Sequence, residues 1–161
     1  MKPTVKVTVK SDKSTISKKL LAQLSKAKAL VGWTEEAGSR PGEMVTNTEL
    51  AFIHTYGSPI RNIPARPILE PALSTAETKD AVCVELKDAA KAMLSGDRDK
   101  MVEYLYRAGQ EGENASRAWF EDSRNGWAPN APSTIARKGS DRPLIDTARL
   151  RKSLTHTVSE E

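Results

Sequence analysis

The sequence is poor in the residues from which most protein chemistry is built. A single cysteine, Cys83, among 161 residues excludes a disulfide framework and any Cys-cluster metal site. Two histidines, His54 and His156, are too few for a His-rich zinc centre. Aromatic residues make up only 5% of the chain, which lacks the ladder of rings that single-strand nucleic-acid binders use. There is no apolar run of about 18 residues, which argues against a membrane span. The start, MKPTVKVTVKSDKS, lacks an apolar signal core, which argues against secretion. Charge of one sign is scarce too: 25 Lys and Arg face 21 Asp and Glu, a net +4 that by itself does not mark a nucleic-acid binder. Gly-x-Ser-x-Gly, His-Glu-x-x-His and the phosphate-cradling glycine loop are all missing. What is present is a 38% hydrophobic content, much of it in 19 alanines. That supports one domain, 1–161, with a thin, helix-rich core. The composition suggests a soluble intracellular protein without a cofactor.

The patterning predicts an α+β fold. Thr4–Lys10 alternates β-branched and polar residues, as a half-buried strand does. Asp12 or Ser14 then caps a helix in which Ile16, Leu20, Leu21, Leu24 and Ala27 share one face. Leu30–Thr34 reads as a strand running into the turn residues 35–42. Thr48–Tyr56 has helix formers and Gly57 as its natural C-cap. Four prolines between Pro59 and Pro71 exclude regular helix or central strand and make a stiff connector. Leu69, Leu73, Ala76, Cys83, Leu86, Ala90 and Met93 fall near one helical face. After the break at Gly96-Asp97, Met101, Leu105, Ala108, Gly112, Ala115 and Trp119 form a seam of small residues that admits a close helical neighbour. Together they predict an antiparallel helical hairpin over about 67–122. Residues 122–143 are loop-like, with a few helical turns over 132–138 and a short helix at 148–152 capped by Asp146 or Thr147. Leu154–Val158 alternates again, so terminal strands are expected to pair in one antiparallel sheet.

Few residues invite a catalytic reading. His54 with Glu49 or Asp146 would make an acid–base pair, but no nucleophile motif accompanies it. His54 therefore reads as a helix-end residue that packs or hydrogen-bonds. Cys83, mid-helix on the apolar face and without flanking cations, reads as a buried structural thiol. Arg61, Arg66, Arg137, Lys138 and Arg142 make two irregular segments basic. Their plain reading is solvated loop charge or pairing with a neighbouring subunit; the sharper one is phosphate contact.

Two passages are idiosyncratic. The first is Asn47-Thr48-Glu49-Leu50-Ala51-Phe52-Ile53-His54-Thr55-Tyr56-Gly57-Ser58-Pro59, continuing through Arg61-Asn62-Ile63-Pro64-Ala65-Arg66-Pro67-Ile68-Leu69-Glu70-Pro71-Ala72. The second is Trp127-Ala128-Pro129-Asn130-Ala131-Pro132-Ser133-Thr134-Ile135-Ala136-Arg137-Lys138-Gly139-Ser140, continuing through Arg142-Pro143-Leu144-Ile145-Asp146-Thr147-Ala148-Arg149-Leu150-Arg151-Lys152-Ser153. Together they cover about a third of the chain and resemble the tail-component and virion-morphogenesis proteins of long-tailed phages, both lambda-like and Mu-like. The first is similar to that family's "Ile-His, aromatic, Gly, then Ile-Pro-Ala-Arg-Pro" passage, the second to its "Lys-Gly-Ser, Pro-Leu-Ile-Asp-Thr, Leu, Ser" ending.

The resemblance implies a non-enzymatic building block of the virion, at the neck or collar or at the head-proximal end of the tail as a completion or terminator protein. Its implied partners are further copies of itself in a closed ring of roughly six, neighbouring neck, connector or tail-tube proteins, and DNA passing through the channel. Its implied location is the virion, with host cytoplasm during assembly and no membrane partner. On this view Ile60–Pro71 and Trp127–Asp146 are assembly elements. Arg61, Ile63, Pro64, Arg66, Pro67, Trp127, Arg137, Lys138, Arg142 and Asp146 are then interface residues. Replacing Arg66 or Trp127 with Ala is expected to impair assembly while the monomer stays folded. The alternative is a DNA-contacting connector that uses basic loops 59–71 and 125–142.

Overall fold

The seam of small residues sets the architecture. In the computed structural model, which describes residues 22, 26–34, 42 and 44–160, helices α3 (Ala76–Leu94) and α4 (Arg98–Trp119) form an antiparallel hairpin. Ala89, Ala92 and Met93 of α3 close on Met101 and Leu105 of α4 to make one apolar cluster. The turn between the helices follows from Gly96 at φ +82°, a left-handed position that glycine takes without steric penalty. There Asp97 N–H donates to Ala92 O at 2.9 Å and Gly96 N–H to Met93 O at 3.0 Å, which satisfies the last carbonyls of α3. Asp97 then caps α4 by accepting from Lys100 N–H.

The glycines of α4 serve the sheet as well as the hairpin. Strands β1 (Lys28–Gly32) and β2 (Thr155–Ser159) pair antiparallel, with Val31 opposite His156. A Cβ on Gly109 would stand 2.7 Å from His156 Cδ2, and one on Gly112 would stand 3.0 Å from Val31 Cγ2. Only a bare backbone lets both strands lie this close to α4. Into this contact goes a polar triad, buried at His156 and Glu113 and half-exposed at Arg117. His156 Nδ1 meets Glu113 Oε2 at 2.5 Å, and Glu113 Oε1 meets Arg117 Nη1 at 2.7 Å. Arg117 in turn donates to Leu154 O at 2.7 Å.

The remaining elements are α1 (Asn47–Tyr56), a 3-10 turn at Pro59–Arg61, α2 (Leu69–Ser74), a 3-10 turn at Ser123–Asn125, α5 (Pro132–Lys138) and α6 (Arg149–Lys152). They surround a second cluster of Ala51, Ile68, Phe120 and Leu150, against which Trp33, Leu50, Trp127, Leu144 and Ile145 pack.

The expected α+β class is the one found: an antiparallel pair of strands from the two sides of the sequence, with helices including a long packed pair. Several local expectations are corrected. The strand at Thr4–Lys10 and nearly all of the first predicted helix lie outside the described residues. Among the described residues, the strand that pairs with the C-terminal strand is the one at Leu30. The proline-rich connector ends earlier than expected, because α2 starts at Leu69 with Pro71 in its first turn, where no intrahelical donor is needed. The predicted continuous helix is interrupted at Thr75, whose side chain caps α3 by accepting from Thr78 N–H. That break rotates the face, so Cys83 is exposed rather than buried and Leu86 is 40% exposed. Neither Asp146 nor Thr147 caps α6; its N-cap is Ala148, at φ 59° with no side-chain bond.

Candidate functional site

The two idiosyncratic passages fold into one unit. It starts at α1, where Thr46 and Glu49 form a reciprocal capping box. The helix ends at Gly57, φ +72°, where a Cβ would stand 2.8 Å from both Ala65 N and Ile63 O. Here glycine is required by conformation and by space. The chain doubles back: Ser58 and Ile63 exchange backbone bonds of 2.8 and 2.9 Å, and Arg66 N–H donates to His54 O at 2.6 Å.

This return aims Arg66 inward. Only 6% exposed, it donates from Nε (3.2 Å) and Nη2 (2.8 Å) to Ala128 O, and from Nη2 (3.1 Å) to Pro129 O, residues 62 and 63 positions along the chain. Burial lowers its affinity for a proton, yet a guanidinium remains charged at any ordinary pH. The bond is reciprocated from the other side. Trp127 Nε1–H donates to Pro67 O at 3.0 Å, and its ring meets Phe120 edge-on at 5.8 Å. Two side chains thus cross-staple the proline-rich segment to the 122–147 loop.

The loop carries its own supports. Pro132 opens α5 and Gly139, at φ +67°, closes it. Lys138 Nζ donates to Arg142 O at 2.7 Å, and buried Asn130 donates to Asp141 O at 3.0 Å. Beyond it, Leu144 and Ala148 adopt left-handed backbone at φ 56° and 59°. Such strain in non-glycine residues persists only where the surroundings over-determine it.

Between the stapled segments and α6 lies a hollow of about 690 Å³. Its floor includes Leu50, Leu144 and Leu150, and its walls carry His54, Arg66, Arg137, Lys138, Asp146 and Arg149. Burial, and secondarily the charge of Arg66, hold the His54 imidazole below its ordinary pKa, favouring the neutral ring. Its Nδ1 is buried without a hydrogen-bond partner among the described residues. Lys138 is also held below its usual range, chiefly by burial; the attraction of Asp146 works against this, and repulsion from Arg66 and Arg137 works with it.

A second hollow, of about 670 Å³, opens on the outer side of α1 between Met44, Val45, Phe52, Ile53, Arg61 and Ile63. Phe52 and Tyr56 meet with their rings tilted at 54° and centroids 4.8 Å apart; they are 65% and 69% exposed, and Ile60 on the adjoining turn is 97% exposed.

The structure sorts the sequence-derived residues into three places. Arg66, Arg137, Lys138 and Asp146 meet at the cationic hollow, while Arg61 and Ile63 border the apolar one. Arg142 pairs with Glu121 at 3.3 Å instead. Pro64 is exposed and Pro67 is half-buried under Trp127. Arg66 is not a solvated loop charge, and both it and the half-buried Trp127 make internal bonds, so their Ala variants also strike the fold itself. Of the two partners weighed for His54, Glu49 is held in the capping box and lines the apolar hollow, away from the imidazole, whereas Asp146 lines the same hollow as His54. Sequence reasoning did not foresee the Glu113–His156 contact. Period-2 parity through Leu154, His156 and Val158 carries the signal, since that parity puts the imidazole on the buried face of β2.

Among the described residues no group of three His, Cys, Asp or Glu side chains is placed to hold a metal ion, and no helix is long and apolar enough to cross a membrane. No family model, curated protein or solved structure matches this chain.

Proposed function

We propose that this chain is a non-enzymatic structural protein of a tailed-phage virion. It stands at the head–tail connection or the head-proximal end of the tail, where it forms or joins a ring around the DNA channel. The observation that carries this reading is spatial. The two passages that resemble the virion-morphogenesis family are remote in sequence, yet Arg66 and Trp127 fasten them into one body. That body presents Phe52, Tyr56 and Ile60 to solvent beside an apolar hollow. Contiguous exposed apolar surface of this kind marks an interaction face. An interface built on a cross-stapled, proline-stiffened segment loses little conformational entropy when it docks.

Assembly through this face relocates the informative variants. Phe52 and Ile60, being exposed, can be changed without touching the staple. The test is the native mass of the purified chain, alone and mixed with phage tail tubes or portal-bearing heads. A closed ring, or a monomer that joins only the particle, supports the reading, provided Phe52→Asp or Ile60→Asp abolishes the association in a folded protein. A chain that binds neither heads nor tails overturns it.

The second reading, DNA contact through loops 59–71 and 125–142, draws on the convergence of Arg66, Arg137 and Lys138 at one hollow. It is the weaker of the two, because Arg66 is consumed by carbonyls and Arg142 by Glu121. Its signature is a steep loss of DNA affinity with salt.

A further inference from the structure

We propose that the cationic hollow between α5, α6 and the Arg66 segment is a binding site for a dianionic phosphate group, as carried by inorganic phosphate or by the terminal phosphate of a nucleic-acid strand. The claim rests on the hollow and not on the virion reading, so either can fail alone.

Thr134, Arg137 and Lys138 line the hollow together because they stand at i, i+3 and i+4 of α5, on one face. Arg66 faces them; its Nε and Nη2 are spent on two carbonyls, so it adds a fixed positive charge to the wall rather than a donor fork. Arg137 is exposed and has no ion pair or side-chain hydrogen bond among the described residues. Four cations, Arg66, Arg137, Lys138 and Arg149, against the lone carboxylate of Asp146 leave three positive charges around the space. A phosphate monoester carries about −1.5 to −2 at neutral pH and offsets that excess better than a carboxylate does. Burial is the main cause that depresses Lys138 and His54, and the charge of Arg66 adds to it at both, so the cations on this wall feel one another. The buried, unpartnered Nδ1 of His54 supplies one more polar atom on the wall. The site is a receptor only; no bond is made or broken in it.

The experiment is a titration of the purified chain with inorganic phosphate at low ionic strength, followed by amide NMR shifts, with acetate as the comparison anion. Saturable shifts at Thr134–Lys138 and around His54 are expected. Affinity should fall roughly tenfold in Arg137→Gln and in Lys138→Gln, the effect of losing one charge-assisted hydrogen bond. Arg137→Gln removes no internal contact, so its fold is retained. A single-stranded oligonucleotide with a 5′-phosphate and its 5′-hydroxyl counterpart then separate the sources. Preference for the phosphorylated strand identifies a strand end as ligand, and phosphate binding without that preference identifies free phosphate; both support the site. The proposal is overturned if phosphate does not saturate, if acetate binds equally, or if both variants bind as the parent does. It is also overturned if the two oligonucleotides bind alike while phosphate does not bind.

Discussion

The hairpin half and the stapled half of this molecule are held by different physics. In α3 and α4 the core is small and apolar, Ala89, Ala92, Met93, Met101 and Leu105, and the backbone satisfies itself within the helices. Around α1, α2, α5 and α6 the core has larger members, Ile68, Phe120, Leu150 and Trp127, but the chain between them is mostly irregular. There the backbone carbonyls are not consumed by helices or sheet, so side chains must satisfy them. Arg66 serves Ala128 and Pro129, Trp127 serves Pro67, Trp33 serves Leu150 at 2.8 Å, and Lys138 serves Arg142. One half spreads its stability over many weak contacts, and the other concentrates it in a few long-range donors.

The comparison is broken most forcefully at Ile68, which is 0% exposed at the centre of the stapled half. Ile68→Ala should lower unfolding free energy by about 3 kcal/mol, through lost transfer energy plus a cavity. Urea denaturation followed by circular dichroism measures it. A loss under about 1 kcal/mol would mean that this half is not a packed core at all.

Arg66→Met sharpens the same contrast. It keeps the apolar stem and removes the three donations to Ala128 and Pro129, so a cost of about 2 kcal/mol is expected. The diagnostic is where the loss appears. Amide exchange should accelerate in residues 58–68 and 127–147 while 76–119 stays protected, because local opening follows local contacts. Uniform acceleration would show the two halves to be one cooperative unit.

How legible each half was follows from the same physics. Periodicity reports apolar faces, so it finds the α4 seam Met101, Leu105, Ala108, Gly112, Ala115 and Trp119, of which all but the half-buried Ala115 are buried. It misplaces the α3 face, since a capping threonine, Thr75, resets the helical phase in a way that counting apolar residues misses. Turn residues find Gly57, Gly96 and Gly139, each at positive φ. Staples leave no periodic trace. That Arg66 is a buried donor, while Arg137 in a similarly basic loop is exposed, depends on which carbonyls lie 62 residues away. The basic composition of the two loops was readable, but the convergence of their charges on one hollow was not.

In the hairpin half the corresponding probe is Gly109→Ala. The added Cβ would stand 2.7 Å from His156 Cδ2, and that imidazole is fixed by Glu113 on one side and Tyr106, at 4.4 Å, on the other. Overpacking costs about 1–3 kcal/mol, and exchanging glycine for alanine inside a helix returns about 1. A net loss of about 1 kcal/mol is expected, by the same denaturation measurement. A gain in stability would show that the sheet can slide on α4, which would make the close approach incidental.

The smallest effect is expected from His54, and it reaches into the hollow. Burial first, and Arg66 second, hold its folded-state pKa below the value of 6.5 expected in the unfolded chain. The unfolded state therefore binds the extra proton, so the contribution of His54 to stability is complete above about pH 6.5 and is lost as pH falls through the folded-state value. Denaturation midpoints between pH 7.5 and 5.5 should fall more in the parent than in His54→Asn; titrations common to both chains cancel in that difference. Equal slopes would remove His54 from the account. A phosphate dianion in the hollow favours the protonated ring, which raises the folded-state pKa toward 6.5. Saturating phosphate should therefore flatten the parent's curve toward that of His54→Asn, whereas acetate at the same ionic strength should leave it unchanged.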